Sequence, residues 1–95
     1  MFKLALPESI SDAWDILTSE YSGHLMFMAR YKPQSRTIVI RLGNFKKVQV
    51  PLSWIEESYP NVAVDPNQLA ILGLGQLLIL GECEVDVTDI LKICN

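Results

Sequence analysis

A single histidine, His24, and two cysteines eleven positions apart, Cys83 and Cys94, leave this chain of 95 residues without the donor clusters of most metal sites. Neither cysteine has the partner at C-x-x-C spacing that a redox pair needs. No apolar run reaches the roughly 18 residues needed to span a bilayer. The longest, Leu69 to Leu80, is interrupted by Gly73, Gly75 and Gln76. The first ten residues hold one lysine and no long apolar stretch ending in small residues, so they do not read as an export signal. Together these absences predict a cytoplasmic protein with two free thiols. No serine, threonine or cysteine lies in a nucleophile motif. The segment Gly73-Leu74-Gly75-Gln76 lacks the lysine and the spacing of a phosphate loop and reads as a turn. The chain is therefore read as a non-enzyme that needs no cofactor and no metal.

What is present is one domain's worth of globular sequence. Hydrophobic residues make up 49% and charged residues 20%, values that suit a single modest core and argue against disorder. Leu4 and Leu6 follow Phe2 at alternate positions and predict a short strand closed by Pro7. Ser9 or Ser11 can cap a helix over about residues 10 to 21. Its apolar positions Ile10, Trp14, Leu17 and Tyr21 recur at helical spacing, and Gly23 is its stop. Trp14, Trp54 and Tyr59 read as packing residues.

His24 to Lys32, Thr37 to Leu42 and Phe45 to Val50 predict a three-stranded antiparallel meander. Its register follows from burial. If Lys32 faces Thr37, then Arg30 faces Val39 and Met28 faces Arg41. Leu25, Phe27, Ala29 and Tyr31 then share one apolar face with Ile38, Ile40 and Leu42, whereas a one-residue slip would bury Arg41. A three-residue loop, Gly43-Asn44-Phe45, puts Val48 and Val50 on that same face.

Beyond Pro51, Ser53 and Glu56 have the spacing of a capping box for a short helix that Pro60 stops. Asn61 to Asn67 reads as a polar connection with a turn at Pro66-Asn67. Leu69 to Leu72 and Leu77 to Leu80 form a second hairpin. Asp86 or Thr88 caps a last helix with Val87, Ile90, Leu91 and Cys94 on one face. The fold class is α+β: the meander and the second hairpin form a curved antiparallel sheet flanked by two or three short helices.

Charge is segregated along the chain. Residues 21 to 55 hold Arg30, Lys32, Arg36, Arg41, Lys46 and Lys47 and no acid, a local charge of +6. Residues 1 to 20 carry −3 and residues 56 to 95 carry −6. The predicted register gathers Arg30, Lys32, Arg41 and Lys47 on the polar face of the meander. Such a face can meet an acidic protein or phosphates. It can equally be a solvated sheet face, or one covered by the acidic first helix. The net charge of −3, and the lack of aromatics interleaved with the basic residues, weigh against nucleic acid. Glu82, Glu84 and Asp86 fall on one side of an extended segment and are the candidates for a metal-dependent enzyme. Helix-start dipole matching already accounts for Asp86 and Asp89.

Three stretches resemble the bacterial family called domain of unknown function 2442, over about 55 of the 95 residues. TIVIRLGNFKKVQVPLSW (Thr37 to Trp54) is similar to the family's strand, turn, strand and Val-Pro-Leu helix start. LAILGLGQLLI (Leu69 to Ile79) is similar to its hairpin with an Ile-x-Gly-x-Gly element. EVDVTDIL (Glu84 to Leu91) is similar to its acidic ending and final Leu-Leu. Gly43-Asn44 stands where the family has Asp-Gly, the tryptophan usual near the second hairpin is absent, and residues 1 to 24 have no counterpart. The resemblance implies a small α+β fold of bacterial or phage origin and no assigned activity. Some family members look like partners in two-gene cassettes of the toxin–antitoxin kind. The leading expectation is thus an interaction module that binds another protein through Arg30, Lys32, Arg41 and Lys47. Nucleic-acid binding by the same face is the alternative, a small metal enzyme the third, and self-association is compatible with each.

Overall fold

The computed structural model describes residues 4–93. In chain order they form β1 (Leu4–Ala5), α1 (Ile10–Thr18), a single 3-10 turn (Ser22–His24), β2 (Met26–Lys32), β3 (Thr37–Leu42), β4 (Lys47–Pro51), α2 (Leu52–Ser58), β5 (Val64–Leu72), β6 (Leu77–Gly81), β7 (Cys83–Asp86) and α3 (Val87–Ile93). The class is α+β, as expected. Phe2, Lys3 and Cys94 lie outside the described residues. No helix among the described residues is long and apolar enough to cross a membrane.

The strands form two antiparallel sheets, β1-β2-β3-β4 and β5-β6-β7, where one curved sheet was expected. Pro51, which has no N–H to offer a ladder, ends β4, and the chain turns at once into α2. Each sheet has one apolar face, and both are buried in a common core that joins Ala29, Ile38, Ile40, Val48 and Val50 to Leu69, Ile71, Leu78, Leu80 and Val85. A backbone hydrogen bond ties the sheets together, the Met26 N–H donating to the Gly75 carbonyl (2.8 Å), while the Val87 N–H extends the β6–β7 pairing to the Gln76 carbonyl (2.8 Å).

The meander has the register that burial requires. Lys32 pairs with Thr37, Arg30 with Val39, Met28 with Arg41, Ile38 with Val50 and Ile40 with Val48. The loop Gly43-Asn44-Phe45 has Phe45 at φ 69, and the Leu42 N–H closes it on the Lys46 carbonyl (2.9 Å). One part of the expected face is different. Pairing jumps between Met26 and Met28, so Phe27 is the extra residue of a β-bulge. Met26, not Leu25 or Phe27, is fully buried. Phe27 packs edge-on against Phe45, ring centroids 6.3 Å apart.

The helices differ in detail from their sequence signals. Ser9 caps α1 by accepting the Asp12 N–H (3.0 Å). The helix stops at Thr18, short of residue 21, where Ser19 turns extended and its hydroxyl takes the Tyr21 N–H. Gly23 lies in the 3-10 turn and is not the helix stop, and β2 begins at Met26, after His24. Ile16 is the fully buried residue of α1, while Ile10 is 91% and Trp14 66% exposed, so the stripe read as packing faces outward. The absence of a side chain at Gly43 makes this seating possible: a Cβ there would lie 2.9 Å from Ile16 Cγ2 and from the Ile16 carbonyl oxygen. Trp54 and Tyr59 are half-buried against the core, as their spacing suggested.

In α2, Pro51 is the cap and Ser53 lies inside the first turn, so the expected capping box does not form. The Leu52 N–H instead reaches the Arg36 carbonyl (2.9 Å), and Glu56 pairs with the Arg36 guanidinium (3.2 Å). The Pro66-Asn67 turn is a bulge inside β5, not a connection before it: Val64 faces Gly81 and Leu69 faces Leu80. The Asp65 carboxylate takes the Asn67 N–H across that bulge (3.0 Å). Asp86 ends β7 and accepts the Thr88 N–H at the start of α3 (2.8 Å).

Gly75 has φ +82, and a Cβ there would fall 2.6 Å from the Met26 carbonyl oxygen, in the backbone junction of the two sheets. Gly75→Ala is expected to cost at least about 2 kcal/mol in urea unfolding. Ile10→Ala, at the exposed helix position, is expected to change stability by less than about 0.5 kcal/mol when both proteins are unfolded at high dilution and high salt. Equal effects would contradict this packing.

Candidate functional site

Alternation along β2, β3 and β4 sends Ala29, Ile38, Ile40, Val48 and Val50 into the core and turns Arg30, Val39, Arg41 and Lys47 outward. Among these, Leu4, Met28, Arg30, Val39, Arg41 and Lys47 line one depression of about 210 Å³. Its floor is aliphatic: Val39 is buried beneath the longer side chains, and Met28 and Leu4 stand beside it. The Arg41 guanidinium donates to the Phe45 carbonyl (3.0 Å), which fixes its direction along the rim. Three of the four cations singled out in the sequence, Arg30, Arg41 and Lys47, thus come together. Lys32 shares the face but lies one alternation beyond Arg30, opposite Thr37, outside the depression.

Among the described residues these cations have no carboxylate partner. The ion pairs among the described residues are Arg36 with Glu56 and Lys92 with Asp89 (3.8 Å). None of the residues of α1 lines the depression, so the acidic helix leaves it open.

A second surface lies where the sequence pattern predicts packing residues. Leu6, Ile10, Ala13 and Phe27 line an apolar groove of about 330 Å³, with Pro7, Glu8 and Ser9. Leu4, Leu6, Ile10, Trp14 and Phe45 are all exposed. The helical spacing of Ile10 and Trp14 was a real signal of an apolar stripe, but spacing cannot say whether a stripe meets the protein's own core.

A hollow of about 490 Å³ has no counterpart in the sequence pattern. Ser19, Tyr21, His24, Leu25, Leu74, Gln76, Asp86, Val87 and Thr88 line it, from three segments far apart in sequence. His24 also borders a smaller hollow with Thr88, Leu91 and Lys92. Among the described residues no side chain–side chain hydrogen bond joins these polar groups into a nucleophile and base, since the Asp86 carboxylate is engaged with the Thr88 N–H.

Of the acids named for a metal, Glu84 and Asp86 face outward from β7, but Glu82 lies in the turn between β6 and β7 and not on the extended segment. Asp89 is committed to Lys92 and to the Tyr59 hydroxyl, which donates to it at 3.4 Å. Among the described residues no three His, Cys, Asp or Glu side chains gather as a ligand set. The hydrogen bonds from Thr88 hold the Asp86 carboxyl below the usual aspartate range. Burial, then the Asp89 charge and hydrogen bond, push the Tyr59 hydroxyl up. Burial, then Glu84, push the Cys83 thiol up, and that cysteine is free and shielded from solvent. Compared with family models, curated proteins and solved structures, the chain matches none.

A lowered folded pKa means that Asp86 stabilises the fold fully above the unfolded aspartate value and loses that contribution as pH falls through the lower folded value. Asp86→Ala is expected to cost about 1 kcal/mol at neutral pH. The gap from the wild type should close below about pH 3.9. Urea midpoints across pH test this, and a gap that persists unchanged at acid pH would contradict it.

Proposed function

We propose that this chain is a protein-interaction module that receives an acidic partner on the outer face of the β1–β4 sheet. One observation carries the reading: Arg30, Arg41 and Lys47 surround an aliphatic floor and have no carboxylate partner among the described residues. A cation ring around a small apolar hollow suits a protein segment that offers an apolar side chain flanked by acids. The apolar contact supplies affinity, and the charges supply steering and register. Nucleic acid fits less well, because sequence-independent binding of single strands stacks bases on aromatic rings. The floor here is Leu4, Met28 and Val39.

The resemblance of residues 37–91 to domain of unknown function 2442 supports the same reading. On that footing the chain is one member of a two-gene cassette of the toxin–antitoxin or mobile-element kind in a bacterial or phage genome. The reading assigns the chain no reaction.

Titration of the ¹⁵N-labelled protein with a designed acidic amphipathic peptide tests the site. Shifts are expected at residues 28–32, 39–41 and 47, and Arg30→Glu/Arg41→Glu should abolish them. Oligothymidine should bind weakly and be released steeply by salt. Peptide shifts elsewhere, or oligothymidine binding that survives physiological salt, would overturn the assignment.

A further inference from the structure

We infer that the occupant of the basic depression is helix α1 of a second copy of this chain, docked reciprocally about a two-fold axis. The inference rests on the protein-binding reading of that face and names its partner.

Charge and exposed apolar surface are complementary between the two elements. Residues 8–20 carry Glu8, Asp12, Asp15 and Glu20 and no base. None of these carboxylates takes part in an ion pair among the described residues. The outward side of α1 presents Ile10, 91% exposed, and Trp14, 66% exposed, with Asp15 next to Trp14 and Glu8 ahead of the helix. That is the partner the depression calls for: apolar side chains between acids, presented by a rigid helix. Exposed apolar side chains grouped in this way, on a small domain, mark an interaction site.

The two surfaces are also neighbours on one side of the protein. Ala5 is buried in the core, so Leu4 projects from the opposite side of β1, and Leu6, just beyond the strand, is exposed as well. Leu4 lines the basic depression, and Leu6 lines the apolar groove beside Ile10. An apolar row therefore runs from the acceptor surface to the donor helix. Adjacent, complementary patches on one face are what an isologous pair uses, because a single two-fold operation makes both contacts at once. Within one protomer they do not meet, since the depression has no lining residue from α1.

The test is a charge exchange read as solution mass, by sedimentation from micromolar to submillimolar concentration at low and high salt. The helix variant is Glu8→Lys/Asp15→Lys and the face variant is Arg30→Glu/Arg41→Glu, with retained folding checked by circular dichroism. The wild type is expected at twice the 10.7 kDa of one chain, with dissociation favoured by salt. Each variant alone is expected at the monomer mass. An equimolar mixture of the two should recover the dimer mass, because both contacts in the mixed pair again join opposite charges. Ile10→Glu, at a fully accessible position, should also give monomers and serves if either double variant misfolds. A wild type that stays monomeric, variants that stay dimeric, or a mixture that fails to pair would overturn the inference. A monomeric wild type that still binds the acidic peptide at Arg30 and Arg41 would overturn the second copy as occupant and leave the protein-binding reading standing. A monomer that binds neither would remove both.

Discussion

Every surface described above depends on where the loop Gly43-Asn44-Phe45 sets β4 against β3. Phe45 holds a left-handed backbone at φ 69, which costs a residue with a Cβ about 1–2 kcal/mol. In return the register brings Val48 and Val50 opposite Ile40 and Ile38, and burial of such side chains stabilises by about 1.5–3 kcal/mol each. The edge-on contact of Phe45 with Phe27 adds to the same side of the balance. Burial wins, and the same choice settles the outer face. A shift of β4 by one residue would turn Lys47 into the core. The basic depression is thus a by-product of apolar sorting: the alternation that fills the core leaves the strand cations Arg30, Lys32, Arg41 and Lys47 on the other side.

The second consequence concerns α1. The two sheets close the main core between them, with α2 and α3 contributing Leu52, Ile55, Val87 and Ile90. Little of the first helix is needed there. It is fastened by Ile16 in the space that Gly43 leaves, and its Ile10–Trp14 stripe stays outside. A negative, apolar helix and a positive, apolar-floored depression then share one side of the molecule. Neither relieves the other within the protomer, and that unresolved pairing is the physical ground for reading the protein as one that binds.

Much of this fold is legible in the sequence where local and tertiary demands agree. The meander register, the three-residue loop, the Ser9 cap and the hairpin over Gly73-Leu74-Gly75-Gln76 are all dictated by period-two burial or turn chemistry. The failures occur where a distant element decides. Phe27 leaves the core face because the bulge lets Met26 enter it, and nothing in the alternation of residues 25 to 31 records that choice. The capping box at Ser53 loses to a carbonyl from Arg36, far back in the chain. One sheet becomes two because two apolar faces bury each other better than one curved face buries itself. The site follows the same division. Arg30, Arg41 and Lys47 could be grouped from register alone, and Lys32 differs only in how far along the strand it lies. Leu4 joined them through a strand pairing, opposite Arg30, that the first eight residues do not announce.

The central claim is that the outer face of the β1–β4 sheet docks a second copy of this chain, and it can be tested on the protein without any substitution. Lys47 stands on the rim of the depression, and Lys92 stands exposed on α3. Sparse lysine acylation followed by mass spectrometry compares their reactivity in one sample. In concentrated protein Lys47 is expected to react more slowly than Lys92, with the difference lost on dilution. Equal relative rates at every concentration would contradict the account.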